Sequence, residues 1–287
     1  MASAASFFVG LKGEMNILFA GDIVGKPGRK AIEALYPRIK EQYSVDLFIA
    51  NGKNAAGGSG ITADIVWQLH SFGVDVITMG DHVWKQKDIL QVIEEDFRLV
   101  RPANFPPDTP GRGSTVVEVP GGGKVGVINL LGRILMFRLP LDCPFRAAER
   151  ELEQIKRETN IVIVDVHAEA TSEKLAFGRF LNGRVSAVIG THTHVQTADE
   201  AILDGGTAYI TDCGMTGPFR SILGREIEPV LKSFLTRMPA YFKVAREDVR
   251  LSGVILEIDE KTGRARRIER IHVKQDEQQA EEEDQEQ

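Results

Sequence analysis

The sequence predicts an α/β fold, and three observations predict it. Apolar runs of strand length alternate with amphipathic stretches through the first two thirds of the chain. The remainder turns β-rich. Run after run stops on Asp, Asn or His, the residue types that gather where the carboxyl ends of strands in an open α/β sheet form a ligand site.

The elements follow in order. Residues 16–22 (NILFAGD) read as a buried strand ending in an acid, and 26–43 have helical spacing with Pro27 in the first turn. Residues 45–51 (VDLFIAN) are the next strand, 61–73 a helix closed by Gly73, and 74–82 (VDVITMGDH) a third strand running into a loop. A helix is expected over KQKDILQVIEE, and a Pro/Gly-rich loop covers 101–113. STVVEV and KVGVINLLG read as a hairpin around Gly121–Gly123. Residues 161–169, 185–194 and 206–214 are further buried strands, with a helix through SEKLAFGRF. AYFKVA, LSGVILEID and RARRIERIHV are expected to close the chain as antiparallel strands.

The 287 residues are 43% hydrophobic and 26% charged, enough for one large core. Residues 15–273 are expected to form one domain, after an N-terminal extension (1–14) and before an acidic tail (274–287), both expected to be disordered. The net charge is −6, and the tail carries much of it, so the body is close to neutral and gives no strong signal for nucleic acid. A nuclease reading is further weakened by the lack of an aromatic stacking platform. Two cysteines far apart, Cys143 and Cys213, suit a reducing cytoplasm better than a disulfide scaffold. No apolar run approaches the ~20 residues needed to cross a bilayer.

Of six histidines, His82, His167, His192 and His194 follow expected strands, where Asp22, Asn54 and Asp81 also lie. Imidazole with carboxylate suits a transition metal such as Fe or Mn better than Mg or Ca. A lone histidine after a strand is ordinarily a satisfied loop residue. Four at equivalent positions, with two acids, point to a metal site. Asp81 has a competing reading as the cap of the helix after it.

The segments NILFAGDIVGKPGR, NGKNAAGG, TMGDHVW, RPANFP, DVHAEATSEK, GTHTHVQTAD and TDCGMTGP resemble the YmdB-like bacterial metallophosphoesterases of the calcineurin-like superfamily. The resemblance runs from about Met15 to Val273. It implies a four-layer α/β/β/α sandwich, two metal ions, and hydrolysis of phosphodiesters, with 2′,3′-cyclic nucleotides as the usual substrate. By motif, Asp22 and His194 match ligands of one metal, and Asp81, His167 and His192 match ligands of the other. Asn54 matches a residue near the metals and phosphate. His82 matches the histidine that protonates the leaving oxygen or binds the phosphate during attack by metal-activated hydroxide. The implied partner is a small phosphodiester or nucleotide, and the assembly state, a homo-oligomer included, is left open.

The chain departs from that family pattern twice. Lys53 stands where a metal-bridging Glu is usual, and Asp81 where Asn is usual. Two unit charges 4 Å apart interact by about 4 kcal/mol at an effective dielectric of 20, so a lysine cation beside a divalent ion meets about 8 kcal/mol of repulsion. Three outcomes are compatible with this: Lys53 swings away, loses its proton, or stands in for one metal and pairs with Asp22 or Asp81. The third is the reading taken, with one firm metal site. The same lysine motivates an alternative, a catalytically weakened relative that regulates by binding nucleotide or protein. Glu169, Ser172 and Glu173 are candidates to orient a metal-bound imidazole, with Thr171 or Ser172 favoured as a helix cap. Cys213 reads as a buried thiol, His70 and His272 as structural, and Arg101 and Arg133 as structural or surface groups.

Overall fold

The computed structural model describes residues 13–136 and 140–275; the expected extension and tail otherwise lie outside the described residues. The chain runs β1 (Glu14–Ala20), β2 (Asp22–Ile23), α1 (Gly25–Tyr43), β3 (Leu47–Asn51), α2 (Ala63–Ser71), β4 (Val76–Thr78), a short 3-10 turn (Lys87–Gln91), β5 (Leu99–Val100), β6 (Ser114–Glu118) and β7 (Lys124–Leu131). It continues through α3 (Pro144–Ile155), β8 (Ile161–His167), α4 (Thr171–Leu181), β9 (Ala187–Thr191), β10 (Ala201–Ile202), β11 (Ala208–Ile210), β12 (Met215–Pro218), α5 (Ile227–Thr236), β13 (Val249–Asp259) and β14 (Ala265–Lys274).

Two sheets stack face to face. The first has the order β2-β12-β13-β1-β3-β4-β5, with β14 also paired to β13; the second has the order β10-β11-β9-β8-β7-β6. The centre of each sheet is parallel, with Phe19 opposite Ile49 in one and Ile163 opposite Ala187 in the other. Alternation along β1 explains the layering. Ile17 and Phe19 point between the sheets with Val125, Ile163 and Ile189. Leu18 points the other way, against Ile32, Leu35 and Val66 of α1 and α2. On the far side, Leu130 and Val164 meet Ala147, Leu152 and Phe177 of α3 and α4. Strands buried on both faces read as continuous apolar runs, which is why these were visible in the sequence. The four-layer α/β/β/α sandwich is the fold the sequence predicts.

Several local expectations fail. The strand expected over 74–82 shrinks to β4, because Val74 still donates to Leu69 O at the end of α2 and the chain turns from Gly80 onward. The helix expected over KQKDILQVIEE is only the 3-10 turn, its bonds running from Ile89 N to Gln86 O and Val92 N to Ile89 O. AYFKVA forms no strand; only Val244 bridges, to Arg225. α4 begins after Ala170 with no side-chain cap, so neither Thr171 nor Ser172 caps it. α3 and α5 were not anticipated.

A candidate metal centre at the strand ends

The carboxyl ends of β1, β3, β4, β8 and β9 share one rim, and the loops there bring Asp22, Lys53, Asn54, Asp81, His82, His167, His192 and His194 together. His167 Nε2 lies 3.2 Å from Asp81 Oδ1 and 3.0 Å from His192 Nδ1. His192 Nδ1 lies 3.9 Å from Asp81 Oδ1. Among the described residues, this trio is the His, Cys, Asp or Glu cluster compact enough to hold an ion.

Polar neighbours set the tautomer of each ring. The Thr191 hydroxyl donates to Asp165 Oδ1 at 2.7 Å, which leaves it to accept from His167 Nδ1, also at 2.7 Å. Lys53 Nζ, which can only donate, sits 2.9 Å from His192 Nδ1 and leaves that ring's proton on Nε2, 3.0 Å from Glu169 Oε2. His167 Nε2 and His192 Nδ1 are therefore lone pairs facing each other beside a carboxylate, a donor set that calls for a cation. Gly80 permits this closeness: a Cβ there would stand 2.6 Å from His167 Nε2. Asp165, fully buried, also accepts from Thr78 Oγ1 (2.5 Å) and Asn51 Nδ2 (2.9 Å), and burial pushes its carboxyl up to about 7.

Asp22 and His194 form the neighbouring half. Asp22 is fully buried; its Oδ2 accepts the His192 N–H at 3.0 Å, while its Oδ1 has no hydrogen-bond partner. His194 Nε2 is 3.8 Å from that Oδ1, and its Nδ1 faces Leu223 O at 3.2 Å. Asn54 stands between His194 Nε2 (3.0 Å) and His82 Nδ1 (2.7 Å), with the orientation of its amide set by the tautomers of the two rings. His82 Nε2 is 3.5 Å from Asp81 Oδ2 at the solvent edge.

Lys53 lies within this group, 2% exposed. Its Nζ is 2.9 Å from His192 Nδ1, 3.3 Å from Asp81 Oδ1 and 3.8 Å from Asp22 Oδ1. Burial, then the Lys53 charge, holds His192 and His194 down at about 3 and His167 well below its ordinary value. Burial also lowers His82, against the pull of Asp81. Burial would raise Asp81, but the Lys53 charge beside it outweighs burial and holds the carboxyl below the usual range. Asp22 goes the other way, burial outweighing Lys53. The rings are thus neutral and Asp81 ionised, the states in which these groups bind metals.

The triad fits one divalent ion. The adjoining half fits a second poorly, because an ammonium already stands beside Asp22. Asp81 points into the cluster and caps no helix; the residue that precedes the 3-10 turn is Gln86. Glu173 accepts from the backbone of Arg133 and Ile134 instead of orienting an imidazole. His70 is held by Val74 O and Asp96, His272 by Ser252 and Arg250, and Arg101 by three carbonyls. Cys213 is buried, and burial raises its thiol, which does not suit a nucleophile.

Sequence reasoning missed the Thr191–Asp165 relay and a second buried network. Lys174 Nζ bonds Asp212 Oδ2 at 2.7 Å, and the same oxygen accepts from Thr193 N (3.0 Å) and Oγ1 (2.7 Å). Thr193 separates two histidines in the left-handed region, His192 at φ 103° and His194 at φ 64°. An acid at position 165, inside an otherwise apolar strand and two residues before His167, was the visible signal for the first.

The profile of the YmdB-like protein family matches residues 18–271. A 2′,3′-cyclic-nucleotide 2′-phosphodiesterase from Bacillus subtilis (strain 168) is 50% identical over 262 residues, covering 91% of this chain and 98% of that protein. The crystal structure of a hypothetical protein from Thermus thermophilus superposes with a TM-score of 0.84 at 42% identity, over 91% of this chain and 100% of that one. A novel phosphatase from Mycoplasma pneumoniae superposes with a TM-score of 0.85 at 36% identity, over 93% and 96%.

Proposed function

Because the chain belongs to the YmdB-like protein family, we propose that it is a metal-dependent phosphodiesterase whose substrates are small phosphodiesters, with 2′,3′-cyclic nucleotides first among them. The observation that carries this reading is the convergence of Asp81, His167 and His192 on one point. The substrate class follows the name of the Bacillus subtilis relative. The catalytic unit is residues 15–273. With two free cysteines and no helix long and apolar enough to cross a membrane among the described residues, the cytoplasm is the proposed location.

Asp81, His167 and His192 would hold one divalent ion, Mn or Fe by the nitrogen and oxygen donor set. Such an ion supplies Lewis acidity toward a phosphoryl oxygen and lowers the pKa of water. The chain's own groups do the rest. Thr191 fixes the His167 lone pair, and Glu169 stands beside His192 Nε2. His82, at the solvent edge, donates an N–H to a phosphoryl or leaving oxygen, and Asn54 holds its other nitrogen. Asp22 and His194 would line the floor beside the ion.

The test is hydrolysis of bis-p-nitrophenyl phosphate and 2′,3′-cyclic AMP with added Mn²⁺ or Fe²⁺. Metal-dependent turnover that falls in His82→Ala at unchanged metal content supports the enzyme. A second reading, a nucleotide- or protein-binding regulator, is favoured by the Lys53 contact with His192. Nucleotide binding without turnover would establish it.

A further inference from the structure

We propose that Lys53 is a tethered cation that shuttles between the triad and Asp22, so that the centre takes one divalent ion and keeps the ammonium as its second positive charge. This rests on the reading of the triad as the metal site. Lys53 Nζ now holds two of the three triad atoms, His192 Nδ1 at 2.9 Å and Asp81 Oδ1 at 3.3 Å. An ion needs those same lone pairs, so it must displace the ammonium.

The displaced group has one evident destination. The Lys53 backbone is fixed, its N–H bonded to Asn51 Oδ1 (3.1 Å), and Asn51 is in turn held by Asp165 and Met79 O. Only the four-carbon stem can move, and it is enclosed, with the side chain 3% exposed. Asp22 Oδ1 is buried, bonded to nothing, and 3.8 Å from Nζ. A small rotation toward it gives a buried oxygen its missing donor and frees His192 and Asp81. The ammonium then stands between Asp22 and His194, where a second divalent ion would otherwise be held.

The experiment is Mn²⁺ binding by equilibrium dialysis with metal analysis, on the full chain and a double-mutant cycle. The wild type should bind one ion. Lys53→Met should bind its triad ion at least ten-fold tighter, because the competitor is gone; Lys53→Gln is the second variant should the first fold poorly. Asp22→Asn should weaken binding about ten-fold with Lys53 present and change it little with Met at position 53. Two ions in the wild type, unchanged affinity in both position-53 variants, or equal effects of Asp22→Asn in both backgrounds would overturn the proposal. The readout is binding, so coupled binding of one ion without turnover would retain this inference and remove the hydrolase reading.

Discussion

Removing Asp212 tests whether the histidine loop is held from behind. Asp212 is fully buried and Lys174 is 1% exposed, so Asp212→Ala leaves a buried ammonium with no counter-ion. Breaking one partner of such a pair costs about 3–5 kcal/mol. The same change strips Thr193 of the acceptor for both its N–H and its hydroxyl. Left-handed backbone at the flanking non-glycine residues costs of order 1–3 kcal/mol each and persists only where the surroundings enforce it. The loop should relax, and Mn²⁺ affinity should fall about 10–100-fold, the range for lost support of a metal ligand. The double variant Lys174→Met/Asp212→Asn removes both charges but keeps an acceptor for Thr193. It should lie within about 2 kcal/mol of wild type and recover most of the affinity. Urea unfolding of metal-free protein, with Mn²⁺ titration alongside, measures both. The reasoning fails if Asp212→Ala costs under about 1 kcal/mol, or if the double variant is the less stable of the two.

Thr191→Val deprives His167 Nδ1 of its acceptor, and metal affinity should drop about 10–100-fold in dialysis with little change in helix content by circular dichroism. Gly80→Ala places a Cβ 2.4 Å from His167 Cδ2, so the ring must move and bound Mn²⁺ should be lost. His82→Ala should lower kcat about 10²–10⁴-fold in the phosphodiester assay without changing metal content. Metal-free protein should lose stability in urea titrations as pH falls from about 6.5. His192 and His194, held at about 3, stay neutral when folded while the unfolded chain takes up their protons; that contribution is complete above the unfolded value and lost toward about 3. Asp165, raised to about 7, acts oppositely, favouring the folded state at low pH and losing that contribution as pH rises toward 7.

The doubly covered strands announced themselves because burial on both faces leaves no room for polar residues until the chain exits. Asp22, Asn54, Asp81 and His167 were legible for that reason: each is where an apolar run stops. Lys53 was legible as a cation among acids and histidines, although its partners lie too far along the chain for a local pattern to show. The short 3-10 turn was misread because apolar spacing at Ile89, Val92 and Ile93 fits either helix type. α3 carries an ordinary signal, Pro144 at its start and Ala147, Ala148, Leu152 and Ile155 on one face, set between two long apolar strands. The supports behind the histidines stayed hidden for a different reason. Thr191 with Asp165, Glu169 with His192, and Lys174 with Asp212 join residues 23 to 38 positions apart, and no local pattern pairs them.

The most direct test of the site is a crystal grown with ample Mn²⁺ and measured for anomalous scattering. One peak per chain, bonded to Asp81 Oδ1, His167 Nε2 and His192 Nδ1 with the Lys53 ammonium turned to Asp22, is the predicted result. A pocket without a peak, or a peak held by other side chains, would contradict it.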